Sequence, residues 1–229
     1  MLTPAPYKMR FPGATDRIVI VGRTGSGKTV GGLFYLSLAD FHVRPWVILD
    51  YKGDENIAEL NTQSIGYDTV PESPGLYLIR VLPGDKKELS EWFRKVWEKE
   101  GIGIFVDEGY MIDPRDQWFQ ACLTQGRSKE IPMIVLSQRP AWMSRFVWTE
   151  ASFFQVYDLT DDDDIGRLRE FIKARKVDTD LDIRRPLPDY HSYYYDVSKR
   201  KLLALSPVPD VEETIDKINA RIPRRVRVI

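Results

Sequence analysis

The stretch Gly22-Arg23-Thr24-Gly25-Ser26-Gly27-Lys28-Thr29 decides the fold of this chain. It matches the pattern G-x-x-x-x-G-K-[ST] at every position. Residues 17–21 form a short β-branched run before it, typical of a buried parallel strand, and residues 28–38 after it can form a helix. Because strand, glycine-rich turn and helix follow in the order that the pattern requires, we predict a phosphate-binding loop rather than a chance glycine-rich turn.

The residue types of this loop suit the phosphates of a nucleoside triphosphate. Its glycines let successive backbone N–H groups curl around phosphate oxygens, and the amino end of the following helix adds positive potential. Lys28 is expected to reach the β- and γ-phosphates, and the Thr29 hydroxyl to ligate Mg²⁺. We therefore predict ATP and Mg²⁺ as cofactors. The predicted phosphate-binding residues are Gly22, Arg23, Thr24, Gly25, Ser26, Gly27, Lys28 and Thr29.

A second apolar run, residues 101–106, ends in the adjacent carboxylates Asp107 and Glu108. Successive residues of a strand face opposite ways, so the two acids can do different work. Asp107 is expected to hold Mg²⁺ through water, and Glu108 to orient and deprotonate the water that attacks the phosphate. The alternative is an acidic strand end with solvated charges, and the complete phosphate loop in the same chain favours the catalytic interpretation.

Apolar runs typical of strands alternate with segments that can form helices. Such alternation implies a mainly parallel sheet with helices on both faces. We predict the α/β class, with the P-loop NTPase architecture of the RecA/ASCE type, in which ligands bind at the carboxyl ends of the strands. The predicted strands after the first are residues 46–49, 77–81, 102–106, 133–136 and 153–157, and the predicted helices are 86–99 and about 114–127.

Beyond residue 160 the pattern changes, and we predict a short C-terminal α+β extension. We assign residues 1–160 to the ATPase core and 161–229 to the extension, packed on the same domain, since 229 residues suffice for one domain with a proper core. The predicted elements of the extension are a helix around residues 165–172, a hairpin of 193–195 and 202–205, a helix at 211–220 and a basic tail at 221–227.

Composition narrows the class of protein further. Hydrophobic residues make up 43% and charged residues 29% of the chain, the balance of a soluble globular protein. The longest apolar runs fall far short of the roughly 20 residues of a membrane span, and no secretory signal precedes the first strand, so we expect no membrane partner. The single cysteine, Cys122, suits a reducing cytoplasm. With a net charge of −1, any DNA-binding surface must be local or assembled from several subunits around a pore.

Three further elements occur in a fixed order around the phosphate loop and the acidic pair. They are Asp50-Tyr51-Lys52-Gly53-Asp54, Gly126-Arg127-Ser128 and Leu136-Ser137-Gln138-Arg139-Pro140. In this order they resemble the FtsK/HerA superfamily of DNA-pumping ATPases, and the resemblance covers roughly residues 17–158.

The resemblance implies roles for two more residues. Gln138 corresponds to the glutamine that senses the γ-phosphate, and Arg127 to an arginine finger supplied to the nucleotide of the neighbouring subunit. Such an arginine stabilises charge in the transition state and is worth about 10³ to 10⁵ in rate. In the alternative interpretation, Arg127 is a cation near a helix C-terminus. If the finger interpretation holds, the active protein is a homo-oligomeric ring, of about five or six subunits.

The chain has little beyond the predicted ATPase core and its short extension. In this economy it resembles the genome-packaging ATPases of viruses and phages. The leading hypothesis is an ATP-driven translocase for double-stranded DNA in genome packaging, working in the host cytoplasm with a capsid portal as a further partner. Two alternatives stay open: a cellular or conjugative FtsK/HerA-type motor, and a nucleotide-dependent phage assembly protein that does not move DNA. A small-molecule kinase is disfavoured, because Glu108 stands beside Asp107 and no lid-like arginine cluster is present.

The DNA-contacting residues are harder to identify from the sequence. Lys52 lies in a loop that could face a channel, and Trp142 and Arg145 lie in a predicted loop, residues 141–148, that is rich in aromatics. Each could contact phosphate or stack on bases, and aromatic packing in a core or subunit interface explains the same pattern. Two more sets of cationic side chains could also contact DNA, and the alternative is that they are simply solvated charges. They are Arg167, Arg169, Lys173, Arg175 and Lys176, and the tail residues Arg221, Arg224, Arg225 and Arg227.

Overall fold

The computed structural model describes residues 8–173, 182–183, 185 and 187–223. Nine strands in this part of the chain form one sheet. The strands are β1 (Arg17–Val21), β2 (Pro45–Asp50), β3 (Gln63–Ser64), β4 (Gly75–Arg80), β5 (Gly103–Asp107), β6 (Met133–Ser137), β7 (Phe153–Val156), β8 (Ser192–Asp196) and β9 (Lys201–Leu205). Their order across the sheet is β3-β4-β2-β5-β6-β1-β7-β8-β9.

Neighbouring strands from β3 to β7 in this order run parallel, and β8 and β9 extend the sheet as an antiparallel hairpin. The helices are α1 (Lys28–Leu38), α2 (Glu55–Ala58), α3 (Lys86–Lys99), α4 (Gln117–Gln125), α5 (Arg145–Thr149), α6 (Asp162–Phe171) and α7 (Val211–Arg221). Two 3₁₀ turns lie at Gly109–Met111 and Pro140–Trp142. The predicted α/β class with a mainly parallel sheet is confirmed. The carboxyl ends of β1, β2, β5 and β6 meet at one edge.

The sheet is covered on both faces, and its central strands alternate between two cores. In β1, Val19 and Val21 belong to one core, and Ile18 and Ile20 belong to the other. Helices α3 and α4 supply aromatic side chains to the first core, and α1 and α7 pack against the second. Burial on both faces explains why these strands are continuous apolar runs.

Helix α1 approaches the sheet closely, and a glycine allows it to do so. A Cβ atom on Gly32 would lie 2.9 Å from the Cδ atoms of Leu136 and 3.1 Å from the Cζ atom of Phe105. Any larger side chain would push the helix away from β5 and β6. Because the phosphate loop continues directly into α1, this close packing also fixes the position of the loop.

Helix α4 is shorter than predicted, spanning Gln117–Gln125 rather than about 114–127. The Asp116 side chain accepts hydrogen bonds from the backbone N–H groups of Trp118 and Phe119 and so fixes the amino end of the helix. Arg127 therefore lies in the turn after α4 and not in its last turn.

The predicted loop at 141–148 was also wrong in part, because it contains the end of a 3₁₀ turn and most of α5. Ser144 caps α5 by accepting a hydrogen bond from the backbone N–H of Phe146. A helix of five residues is too short to show a periodic apolar pattern. The short elements α2 and β3 escaped prediction for the same reason.

The extension joins the core through its predicted hairpin and its predicted last helix. The hairpin continues the sheet because β8 pairs with β7, and α7 packs on α1. Arg221 ends α7, and its guanidinium donates hydrogen bonds to the carbonyl groups of Ser37 and Ala39. This residue docks the helix, so its expected place in a free basic tail was wrong. The other three tail arginines, Arg224, Arg225 and Arg227, lie outside the described residues, as do Arg175 and Lys176.

Within the described ranges, no helix has both the length and the apolar character needed to cross a membrane.

We propose that core and extension unfold as one cooperative unit, and Tyr194 tests this. Its ring is fully buried and stacks on Phe153 of β7 and on Tyr35 of α1, with ring centroids 5.6 and 6.5 Å apart. Tyr194→Ala is expected to lower the free energy of unfolding by about 3–5 kcal/mol in a single denaturant transition. The exposed Val43→Ala should change it by less than about 0.5 kcal/mol. Two separate transitions in the wild type would contradict the proposal.

Candidate active site

The phosphate loop connects β1 to α1 at the carboxyl edge of the sheet. Gly25 and Gly27 have φ values of 78° and 93°, a left-handed conformation that glycine adopts without steric cost. Gly27 is the N-cap of α1, and no side chain among the described residues caps this helix. The first backbone N–H groups of α1 are therefore available to bind an anion, and the helix dipole favours one.

Glu108 lies at the centre of the site, with its carboxylate fully buried (0% exposed). Lys28 Nζ lies 3.4 Å from Glu108 Oε1, and Lys52 Nζ contacts the same oxygen. The backbone N–H of Gln138 donates to Glu108 Oε2 over 3.1 Å. A buried carboxylate needs such compensation, since an unpaired buried charge is very costly.

The backbone at Glu108 is in a strained conformation. Its φ of 67° lies in the left-handed region, which non-glycine residues occupy rarely and at a cost of about 1–3 kcal/mol. The chain turns here, directly after β5, into a 3₁₀ turn. Strain of this kind collects at functional sites, where the surrounding structure holds a side chain in a required direction.

Asp107 ends β5 beside Glu108 and is also buried, at 1% exposure. Neither of its carboxylate oxygens has a hydrogen-bond partner among the described residues. Burial, reinforced by the negative charge of Glu108, raises the pKa of Asp107 to about 7. A divalent cation would provide the missing partner, and carboxylate and hydroxyl oxygens are the ligands that Mg²⁺ prefers. Thr29, half-buried in the first turn of α1, offers such a hydroxyl.

Asp50 is the neighbour of Asp107 across the sheet, and it organises the turn that carries Lys52. One of its oxygens accepts hydrogen bonds from the backbone N–H groups of Lys52 and Gly53, over 3.1 and 2.7 Å, and the other binds Arg80. The turn thus directs Lys52 toward Glu108. From the sequence, Lys52 is a candidate DNA contact, and in the structure its ammonium group also contacts the Glu108 carboxylate.

Gln138 connects the phosphate loop to the turn after β5. Its Oε1 atom accepts a hydrogen bond from the Thr24 hydroxyl over 2.6 Å, and its Nε2 group donates to the Tyr110 hydroxyl over 3.1 Å. A polar side chain in this position can respond to a γ-phosphate entering between the loop and Glu108. Tyr110 was not singled out from the sequence, and its place two residues after the acidic pair was the available signal.

Arg127 lies at the opposite edge of the sheet from the phosphate loop. The chain around it packs against the amino end of β1, where a Cβ atom on Gly126 would lie 3.0 Å from Arg17 Nη1. The length of β1, roughly 13 Å, separates this edge from the loop. The Arg127 side chain is exposed and makes no hydrogen bond or ion pair within the described ranges. It cannot reach the nucleotide of its own subunit.

The two other DNA-contact candidates are exposed. Trp142, 63% exposed, lies in a 3₁₀ turn with the Arg139 guanidinium 5.6 Å from its ring centre. Arg145 begins α5, where its guanidinium lies 3.8 Å from a Glu170 carboxylate oxygen. Arg145 therefore already has an acidic partner, and Trp142 is exposed over most of its surface although it contacts Arg139 and Tyr110.

A phosphate loop after β1, an acidic pair at the end of β5 and the polar side chain of Gln138 after β6 define the chain as a P-loop nucleoside triphosphatase. No protein-family model matches the chain. It is 39% identical over 221 residues to the DNA packaging ATPase P9 of Enterobacteria phage PRD1, covering 93% of this chain and 94% of that protein. The chain therefore belongs to the family of this viral packaging ATPase, and it is an ATPase. The relationship predicted from the sequence is confirmed.

Solved structures show the same fold. The genome packaging NTPase B204 of Sulfolobus turreted icosahedral virus 2, in complex with AMPPCP, superimposes with a TM-score of 0.71 at 16% identity, covering 86% of this chain and all of that one. EssC of Geobacillus thermodenitrificans superimposes with a TM-score of 0.59 at 12% identity, covering 90% of this chain and 43% of that one. The chain therefore has the same fold as both of these proteins.

The pH dependence of stability, measured without a divalent cation, tests the buried environment assigned to the Asp107 carboxylate. Because its pKa rises from 3.8 to about 7 on folding, the folded state holds a proton that the unfolded state releases, and stability falls as pH rises through this window. Asp107→Asn is therefore expected to exceed the wild type in unfolding free energy by on the order of 2–4 kcal/mol at high pH, and to match it near pH 4. Denaturant titrations with a chelator measure this difference. Parallel pH profiles for the two proteins would rule out the assigned environment.

Proposed function

We propose that this chain is an ATP-driven motor that moves double-stranded DNA into a viral capsid. One observation carries the proposal: the buried acid pair Asp107 and Glu108 ends a strand beside a complete phosphate loop, in a member of a packaging ATPase family. The name of the phage PRD1 relative supports DNA packaging as the task. Family membership favours packaging over a cellular or conjugative motor.

The contacts of Glu108 suggest how hydrolysis is controlled. Two ammonium groups contact Oε1 and the Gln138 N–H donates to Oε2, so three of the roughly four lone-pair sites of the carboxylate are filled and its ability to accept a proton from water is reduced. A triphosphate would attract Lys28 away from Glu108 toward the β- and γ-phosphates. Lys52, on a partly exposed turn, must then also move before Glu108 can act as a base.

Hydrolysis then follows from the positions of these side chains. Glu108 takes a proton from the attacking water, the water oxygen bonds to the γ-phosphorus, and the bond from the γ-phosphorus to its bridging oxygen breaks to release ADP. Gln138 contacts the γ-phosphate. When that phosphate leaves, the hydrogen bonds of Gln138 to the Thr24 and Tyr110 hydroxyl groups change. Thr29 and Asp107 are the residues that would hold Mg²⁺, which when bound neutralises charge on the triphosphate.

The position of Arg127 supports a shared active site. Since it lies roughly one strand length from the phosphate loop of its own subunit, it can serve only the nucleotide of a neighbour. Head-to-tail contacts of this type close into rings. We propose a ring around the DNA, with Lys52, Trp142 and Arg145 as candidate DNA contacts, a capsid portal as docking partner and the host cytoplasm as location.

DNA-stimulated hydrolysis tests the proposed function. The wild-type ATPase rate is expected to rise on adding double-stranded DNA and to increase per subunit with protein concentration. Glu108→Gln is the matched control, which should still bind ATP but hydrolyse it about 10² to 10⁴ times more slowly, since it lacks the base. A rate indifferent to duplex DNA would instead favour a nucleotide-dependent assembly protein.

Mixed rings test whether Arg127 acts between subunits. Arg127→Ala and Lys28→Ala are each expected to lower the ATPase rate by about 10³-fold or more, because one lacks the finger and the other the phosphate lysine. Mixing them should restore part of the activity, since a Lys28→Ala subunit can offer its arginine to an intact phosphate loop. As a control, the Lys28→Ala subunit in the mixture is replaced by the double variant Lys28→Ala, Arg127→Ala. This removes the donated arginine and should abolish the rescue. If no mixture regains activity, Arg127 is not a finger.

A further inference from the structure

The sheet order fixes the direction in which a bound nucleotide must extend. Its γ-phosphate end belongs beside Glu108 and Gln138, which follow β5 and β6. In the sheet these strands lie on one side of β1, and β7 and β8 lie on the other. A triphosphate held by the loop after β1 therefore carries its ribose and base toward β7 and the segment before β8.

A cavity of about 420 Å³ lies in that direction. Arg23, Gly25 and Ser26 of the phosphate loop form one wall, and residues 187–191, directly before β8, form another. Its volume falls within the range of roughly 300–1,000 Å³ typical of ligand pockets. The cavity thus continues the phosphate site and has room for a nucleoside.

One aromatic side chain in this cavity lacks the environment expected of its type. Tyr190 is 60% exposed and has a φ of 60°, in the left-handed region that is costly for an aromatic residue. By contrast, Tyr193, Tyr194 and Tyr195 in the following strand are all buried in the core.

The Tyr190 ring lies directly against the phosphate loop. A Cβ atom on Gly27 would lie 3.1 Å from Tyr190 Cδ1, so the ring borders the loop at the start of α1. An exposed aromatic face beside a phosphate site offers a surface on which a base can stack. The strained backbone is explained if it directs this ring into the cavity.

We propose that the cavity holds the ribose and base of the nucleotide, with the base stacked on Tyr190. This inference rests on the proposed function, because it needs a triphosphate in the phosphate loop. Stacking contacts the face of a base and not its edges, so this contact does not select one base over another.

Competition between ATP and inorganic tripolyphosphate tests the base site, because only ATP has a base. Tyr190→Asn removes the ring with a residue that tolerates the left-handed backbone, and it is expected to weaken ATP binding roughly tenfold while leaving tripolyphosphate binding unchanged. Tyr190→Phe keeps the ring and should bind both as the wild type does. Phe11→Ala, which removes an exposed ring that contacts Phe34 and Tyr35, is a matched control.

The outcomes distinguish a failure of the base-stacking proposal from a failure of the proposed function. Unchanged ATP affinity in Tyr190→Asn, or an equal loss for tripolyphosphate, would overturn the stacking role. A wild type that binds neither compound would contradict the proposed function and this inference with it.

Discussion

The buried carboxylate pair at the end of β5 is the constraint on which the rest of the site depends. Glu108 is excluded from water and is stabilised by Lys28 from the phosphate loop, Lys52 from the turn after β2 and the backbone of Gln138 after β6. Asp107, its neighbour, has no protein partner in the described part of the chain. Glu108 thus connects residues that follow β1, β2 and β6, and Asp107 is the acid that we propose as a cation ligand. Removing any of these partners would leave a charge that the interior cannot support.

The parallel sheet supports the proposal that two copies of the chain share each active site. Parallel strands bring the phosphate loop, the acids and Gln138 together at their carboxyl ends. The connections that lead back to the start of a strand lie at the amino ends. Arg127 belongs to such a connection, between α4 and β6. We propose that a cation there acts only on the nucleotide of a second subunit, which presents its own phosphate loop to it. In this account, assembly is a condition of turnover.

The sequence predicted those elements that local physics determines. The bounds of β1, α1 and α3 follow from β-branched runs, glycines and a one-sided apolar stripe, and the structure has them at the predicted residues. Helix α5 and strand β3 are too short to carry a period, and the side-chain cap of Asp116 shortened α4. Contacts between distant residues were invisible, because nothing local links Lys52 to Glu108 or the Tyr190 ring to the phosphate loop. The candidate residues were therefore easier to name than the partners that restrain them.

The central claim is that each reactive centre is built from two copies of the chain. Its most direct measurement is a structure of the assembled protein with ADP and aluminium fluoride, which mimics the phosphoryl group in the transition state. We expect the phosphate loop and acids of one subunit around the mimic, with the Arg127 guanidinium of the adjacent subunit within hydrogen-bond distance of the fluoride. A nucleotide fully enclosed by one subunit, with every Arg127 remote from it, would contradict the account.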